Sequence, residues 1–325
     1  MEQVRQWLRA YRNELKGIAI LWVVWFHMQL GWQGLGYQVQ KIGYGGVDLF
    51  FFLSGFGLYG SLSQKPGLRD YWKRRARRLL PAYWPFCALW LAVMIPLRQM
   101  NLEETLHTVV GNGLMLGYFW GAPLMINWYV SALAASVLLA PLMTWALRRR
   151  PKEWPLWLAL CFAVGLPLMG QNQLMAVSRL PVFFLGMVFA LPVKRPEEKD
   201  VLALAAAALI LGLAVLLGCF ARFPEGLLHY GLYWYPFALI APSLCVLLGR
   251  LMEKLPTKAL APLRMLGASS FEIFLWNVWL EWLFKKQWNI QGAIWWLLGG
   301  LTSIALGLAY HGLIQKMVSK SRKKA

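Results

Sequence analysis

Two ionisable residues, Lys16 and His27, close the two ends of the apolar run Gly-Ile-Ala-Ile-Leu-Trp-Val-Val-Trp-Phe. Eleven steps of an α-helix make three turns plus about 20°, so the ammonium and the imidazole share one face, roughly 16 Å apart along the axis. In line, they describe a track across a membrane. An imidazole inside an apolar segment is costly, which makes a working role the first reading and a neutral ring bonded across a helix interface the second. The work such a ring does is proton transfer, as a general base on a hydroxyl. The next apolar run, Gly43-Tyr-Gly-Gly-Val-Asp-Leu-Phe-Phe-Phe-Leu-Ser-Gly55, carries Asp48 about one turn below the outer surface. His27 lies roughly 9 Å beneath that surface, so a hairpin of the first two spans is expected to pair the two groups. A carboxylate on one ring nitrogen sets the tautomer and supports the cation. The other reading of Asp48 is a helix N-cap. Ser54, six residues on, is a weak nucleophile candidate.

Cations form a second set. Arg69-Asp-Tyr-Trp-Lys-Arg-Arg-Ala-Arg-Arg78 holds six in ten residues. Clustered guanidiniums bind phosphates in bidentate fashion, but the same clusters arise from topology and anionic lipid alone. Arg148-Arg-Arg150 and Lys316 to Lys324 flank span ends. Arg179 stands at the outer end of a span, against the charge bias, and calls for an anionic or hydroxylated ligand or a carboxylate such as Asp48. Glu272 and Glu281 are intramembrane charges, or structural partners of Arg264 or Lys285. Glu103, Glu104 and His107 have metal-like spacing without a second ligand set, and His229 and His311 read as structural. No P-loop, GxSxG or HExxH is present.

These groups must be positioned by membrane helices. Hydrophobic residues make up 59% of the 325, mean hydropathy is +0.48 and only 14% are charged, more apolar surface than a water-soluble domain hides. A net charge of +19 suggests nucleic acid, yet the cations lie in short clusters between apolar runs, as in loops flanking transmembrane helices. The expected fold is an all-α polytopic bundle of about ten spans: 17 to 36, 45 to 63, 79 to 97, 127 to 147, 154 to 170, 179 to 193, 201 to 220, 232 to 250, 268 to 285 and 292 to 313. With both termini cytoplasmic, 27 of the 33 Lys and Arg fall inside, and Lys285 and Lys286 are the local exception. Residues 1–325 read as one integral-membrane domain without an appended soluble one. Cys87, Cys161, Cys219 and Cys245 sit in apolar runs with no metal or redox spacing and read as small core residues. Arg5, Arg9 and Arg12 before an apolar run imitate a secretory signal, but no A-x-A-like site follows, so the first span is expected to stay attached. In the outer connection 98–126, Asn101-Leu-Glu-Glu104 has capping-box spacing and predicts a short helix lying on the membrane surface, roofing a cavity.

Six segments, in order, resemble the membrane acyltransferase 3 family, integral-membrane O-acyltransferases that modify bacterial surface glycans, and the resemblance covers essentially the whole chain. Lys16-Gly17 to Phe26-His27 is similar to the family's Arg-x10-His motif, and Gly46 to Phe56 to its Gly-Val-Asp-Leu-Phe-Phe-x-Leu-Ser-Gly-Phe signature. Arg74-Arg-Ala-Arg-Arg-Leu-Leu-Pro-Ala-Tyr83 resembles its basic loop, Asn127-Trp-Tyr129 its Leu-Trp-Phe/Tyr segment, and Arg179-Leu-Pro-Val-Phe-Phe-Leu-Gly186 its Arg-x-Pro-x-Phe-x-x-Gly segment. Leu266-Gly-Ala-Ser-Ser-Phe-Glu-Ile-Phe-Leu-Trp-Asn277 resembles Leu-Gly-x-x-Ser-Tyr-x-x-Tyr-Leu-x-His. Three positions depart: Lys16 replaces Arg, keeping the charge without the planar fork, Asn277 replaces His and cannot exchange protons, and Asn13 stands where many members have Asp.

The resemblance implies transfer of an acyl group, acetyl in the first instance, from cytoplasmic acyl-CoA to a hydroxyl of an extracytoplasmic acceptor, by a multi-pass protein of the cell membrane that uses no metal. It implies His27 and Asp48 as catalytic groups, and Lys16, Arg74, Arg75, Arg77 and Arg78 on the phosphates of CoA. Trp128, Tyr129, Arg179 and Asn277 would then shape the acceptor side. Two rivals stand beside it. A transporter or flippase of a glycan-related substrate predicts inverted repeats and matched broken helices, which the chain does not display; a non-catalytic relative is the other.

Overall fold

A computed structural model describes residues 2–28, 30–64, 67–192, 198–223 and 231–324; His229, Lys65, Lys194 and Arg195 lie outside them. The chain is all-helical, 82% helix, with no strand among the described residues. Among the described residues five helices are long and apolar enough to cross a membrane: Gly36–Gln64, Leu68–Arg98, Trp128–Arg149, Lys199–Arg222 and Ala293–Lys320. The other five expected spans form shorter helices, Arg12–His27, Trp154–Ala163, Leu180–Phe189, Phe237–Glu253 and Ser270–Trp282. The run expected at 154 to 170 includes a turn: Leu166–Leu168 is a 3-10 segment beyond Trp154–Ala163, so run length overstates helix length there.

The chain sorts into two compact units, each built from separated stretches: Met1–Ala19, Gly45–Leu68 and Ala135–Gly267 in the first, Ile20–Tyr44, Arg69–Ala134 and Ala268–Ala325 in the second. The division falls inside the helix Arg12–His27, so Lys16 belongs to the first unit and His27 to the second.

The first unit is built around Gly46–Gln64, whose span has 83% of its apolar window buried, against 22% for Lys199–Arg222. A helix apolar on every side reads as a buried one, and this is the case here. It crosses Leu180–Phe189 at two glycines: a Cβ added to Gly55 would overlap the carbonyl oxygen of Phe183, and one added to Gly186 would overlap that of Phe52. Backbones in contact leave room for no side chain. Replacing Gly186 by Ala is therefore expected to cost about 1–3 kcal/mol through overpacking, read as a lower melting temperature in detergent. Gly60→Ala serves as the control, since Gly60 faces open space on the same helix as Gly55, and should change little. A second crossing sets Gly267 of Thr257–Ala268 against the carbonyl of Asn13. Beside it Arg264 Nε donates to Glu14 Oε1 at 2.7 Å, with the Glu14 carboxylate buried.

In the second unit Tyr83, Phe86, Trp90 and Met94 of Leu68–Arg98 pack against Leu275 and Trp279 of Ser270–Trp282. The capping box at Asn101 is present: its side chain accepts from Glu104 N at 2.9 Å and Glu104 Oε2 accepts from Asn101 N at 3.1 Å. The helix it starts, Leu102–Gly113, is tied to Leu68–Arg98. Tyr83 Oη donates to Asn112 O at 2.7 Å and Trp84 Nε1 to Gly113 O at 3.1 Å. Those two aromatics sit about 20 Å before Arg98 along their helix, so Leu102–Gly113 runs back beside it as an antiparallel hairpin. Asn112 then fastens the return strand of chain, donating to Thr108 O and Leu124 O and accepting from Ile126 N. The metal-like trio is dispersed in this role: His107 Nε2 bonds Trp120 O at 3.0 Å while Glu104 caps. All four cysteines are free, with Cys87, Cys161 and Cys245 buried and Cys219 half-buried.

Candidate functional site

The helix that carries Lys16 is uninterrupted from Arg12 to His27 and stops on the histidine, short of the expected 36. Its end is held by the following segment. Gln40 Nε2 donates to the carbonyls of Trp25, at 2.9 Å, and Met28, satisfying acceptors that a helix C-terminus leaves open. His27 is thus a terminal rather than an interior residue of its helix, with its ring at a small cleft.

That ring is organised by a chain of hydrogen bonds. Ser303 Oγ donates to Gly300 O at 2.7 Å, because a carbonyl can only accept. The serine oxygen then accepts from Asn277 Nδ2 at 3.2 Å, which turns Asn277 Oδ1 toward His27 Nδ1 at 2.8 Å. An amide oxygen accepts, so Nδ1 carries the proton and Nε2 of the neutral ring keeps its lone pair. Asn277 and Ser303 are buried, which shields these bonds from competition with water. Beside the ring, Asn277, Glu281, Trp296 and Gly300 line a space of about 10 Å³, room for one water.

Asp48 does not supply this orientation. In the first unit, Arg179 Nε lies 3.5 Å from Asp48 Oδ1, with both side chains at most 1% exposed. Where a His27–Asp48 pair is expected, each group has a partner within its own unit: ring Nδ1 goes to Asn277, and the carboxylate goes to a full positive charge. The reason lies in the glycine crossing, which brings the start of Gly46–Gln64 alongside Leu180–Phe189. Pro181 preorganises the first turn of that second helix and leaves Arg179 at its N-cap position. Arg179 also donates to Met175 O at 2.8 Å and Ser178 Oγ at 3.0 Å, and its guanidinium stands 4.9 Å from the Trp234 ring. Of the two partners expected for it, the structure provides the carboxylate.

The remaining expected residues divide. Lys16 is buried, at 8% exposure. Arg74 and Arg75 are half-buried, Arg75 against the Tyr71 ring at 5.6 Å, while Arg77 and Arg78 are exposed and have no carboxylate partner among the described residues. Tyr129 is buried with its ring 4.5 Å from Phe274, and Trp128 is half-buried. Asn127 is a helix cap, its Oδ1 accepting from Tyr129 N at 2.7 Å. Glu272 pairs with His311 Nδ1 at 2.9 Å, not with Arg264 or Lys285, and Arg264 is taken by Glu14. Ser303 and the placement of Glu281 escaped the sequence reading. The available signal was the i, i+4 spacing of Asn277 and Glu281, which puts both on one helix face.

An all-helical membrane fold with an oriented imidazole at a cleft defines the class, and comparison with known proteins gives the family. The model described as "Acyltransferase domain" matches residues 11–312, and the chain belongs to the acyltransferase 3 family. O-acetyltransferase OatA of Staphylococcus aureus is 23% identical over 86% of this chain and 51% of its own length. YrhL of Bacillus subtilis, whose name marks it as a candidate peptidoglycan O-acetyltransferase, is 31% identical over 35% of this chain and 17% of its own. Peptidoglycan O-acetyltransferase OatA of Listeria monocytogenes is 32% identical over 25% of this chain and 14% of its own. The chain spans about half the length of the Staphylococcus aureus relative and a smaller share of the other two. No solved structure matches it.

Proposed function

We propose that this protein transfers an acetyl group from cytoplasmic acetyl-CoA to a hydroxyl of an extracytoplasmic glycan, with peptidoglycan, the polymer named for two of the relatives, as the first acceptor to try. The observation that carries the reading is the Gly300–Ser303–Asn277–His27 chain, which leaves Nε2 as a base. In the proposed step Nε2 takes the hydroxyl proton and the oxygen attacks the thioester carbonyl. The C–S bond breaks, and the thiolate leaves with the proton returned by the imidazolium. Lys16, Arg74, Arg75, Arg77 and Arg78 are the cations assigned to the donor's phosphates, and Trp128 and Tyr129 are assigned to the acceptor.

The orientation that suits this direction has both termini in the cytoplasm of a cell-membrane protein, supported by the 27 of 33 cations on that side. Ten crossings then require the five shorter helices to traverse as well. Incubating purified protein with acetyl-labelled CoA tests the reading: label should pass to an added glycan fragment or to water. Label that stays on CoA under all conditions would sink it and favour a transporter or non-catalytic relative. Lys16→Ala should raise KM for the donor with little change in kcat, and an unchanged KM would remove Lys16 from the donor's phosphates.

A further inference from the structure

The first unit contains a cavity of about 680 Å³ at the end of Trp128–Arg149, open to the exterior along the exposed Leu142, Trp145, Arg148 and Arg149. Its walls are apolar, with Leu62, Leu142 and Trp145 among them, and Arg148 and Arg149 close one end. Neither arginine has a carboxylate partner among the described residues, whereas the adjacent Arg150 is paired with Glu153 at 3.3 Å. Arg149 instead lies 5.8 Å from the Trp145 ring. Thr144 also lines the cavity, at 4% exposure, with a buried hydroxyl that has no hydrogen-bond partner among the described residues. A buried hydroxyl without a partner is costly, so a group bringing an acceptor or donor to it is the simplest completion of the site.

We propose that this cavity binds an anionic phospholipid, with its phosphate between Arg148 and Arg149, a headgroup or ester oxygen at Thr144, and a chain along Leu62, Leu142 and Trp145. The helix is 22 residues, about 33 Å, so its last turn emerges where headgroups begin. Guanidiniums at that level suit a phosphate, and an indole next to them suits the interface. A soluble phosphate would gain from the arginines but not from the apolar wall; a zwitterionic lipid would gain from the wall, with its own cation opposing the arginines.

The test uses the purified 325-residue chain in detergent, with retention of added lipid read by native mass spectrometry. Phosphatidylglycerol should stay bound as one molecule per chain, at least tenfold more tightly than phosphatidylcholine of the same chains, inorganic phosphate or glycerol phosphate. The double variant Arg148→Gln/Arg149→Gln should weaken it by roughly thirtyfold, two surface cations' worth. Thr144→Val, close to isosteric, should weaken it severalfold, and Arg150→Gln should leave it unchanged. The proposal is overturned by equal retention of phosphatidylcholine, by wild-type binding in the double variant, or by tight binding of phosphate alone. Displacement of the lipid by acetyl-CoA would also overturn it, since the cavity would then belong to the donor. Should the double variant fail to fold, the headgroup comparison on the unmodified chain and Thr144→Val still decide.

Discussion

Replacing His27 by Ala is expected to lower acetyl transfer by about 10² to 10⁴-fold, the range a positioned base contributes, while the protein still accumulates in the membrane. The ring is only half-buried and borders a water-sized cleft, so its removal deletes one hydrogen bond to Asn277 and little packing. Loss of folded protein would instead say that the histidine is a structural cross-helix bond. Asn277 is a positioning residue in this account. Asn277→Ala should reduce kcat with the donor KM nearly constant, because the ring loses the acceptor that sets its tautomer. Ser303→Ala should do the same more weakly, since Asn277 Oδ1 keeps its bond to the ring. A His27→Ala protein that transfers acetyl at the wild-type rate would end the assignment of the base.

Much of this arrangement was legible beforehand, and the part that was not has a common cause. Apolar runs, the capping box at Asn101 and the helix-starting Pro181 are local, and local signals carry to structure. The family segments proved to be packing partners: the glycines of the second and fifth segments interlock, and Gly267 of the last one sits on Asn13, next to the first. What the sequence does not encode locally is which distant group meets a given polar side chain. His27 finds Asn277, 250 residues away, and Arg264 finds Glu14 at the same separation. Periodicity says nothing about such pairs. Helix ends suffer similarly: the run after His27 stays apolar enough to suggest continuation, but Gln40 returns from the next segment to bind its last carbonyls. The hairpin of Leu102–Gly113 has an amphipathic-looking start, and only the reach of Tyr83 and Trp84 to its far end fixes its direction.

Arg179→Met should destabilise the protein by about 3–5 kcal/mol, the cost of leaving one member of a buried pair uncompensated. The carboxylate of Asp48 is fully enclosed, so it can recover neither water nor another cation when the guanidinium is gone. Methionine fills much of the same volume, so the loss is chiefly that of the charge, with the bonds to Met175 O and Ser178 Oγ and the contact with the Trp234 ring going with it. Adding Asp48→Asn removes the stranded charge, and the double variant should regain a large part of the loss, since a buried ion pair replaced on both sides is often close to neutral. Unfolding in detergent, followed by melting temperature for the two single variants and the double, measures the coupling. Activity separates two roles for the pair. If Arg179 serves only to hold Asp48 and the glycine crossing, the refolded double variant should keep most of its acetyl transfer. If Arg179 also contacts the acceptor, stability should return while the acceptor KM stays raised. Additive losses in the double variant would show that the 3.5 Å approach carries no energetic coupling, and the buried pair would then have to be read as two independent residues.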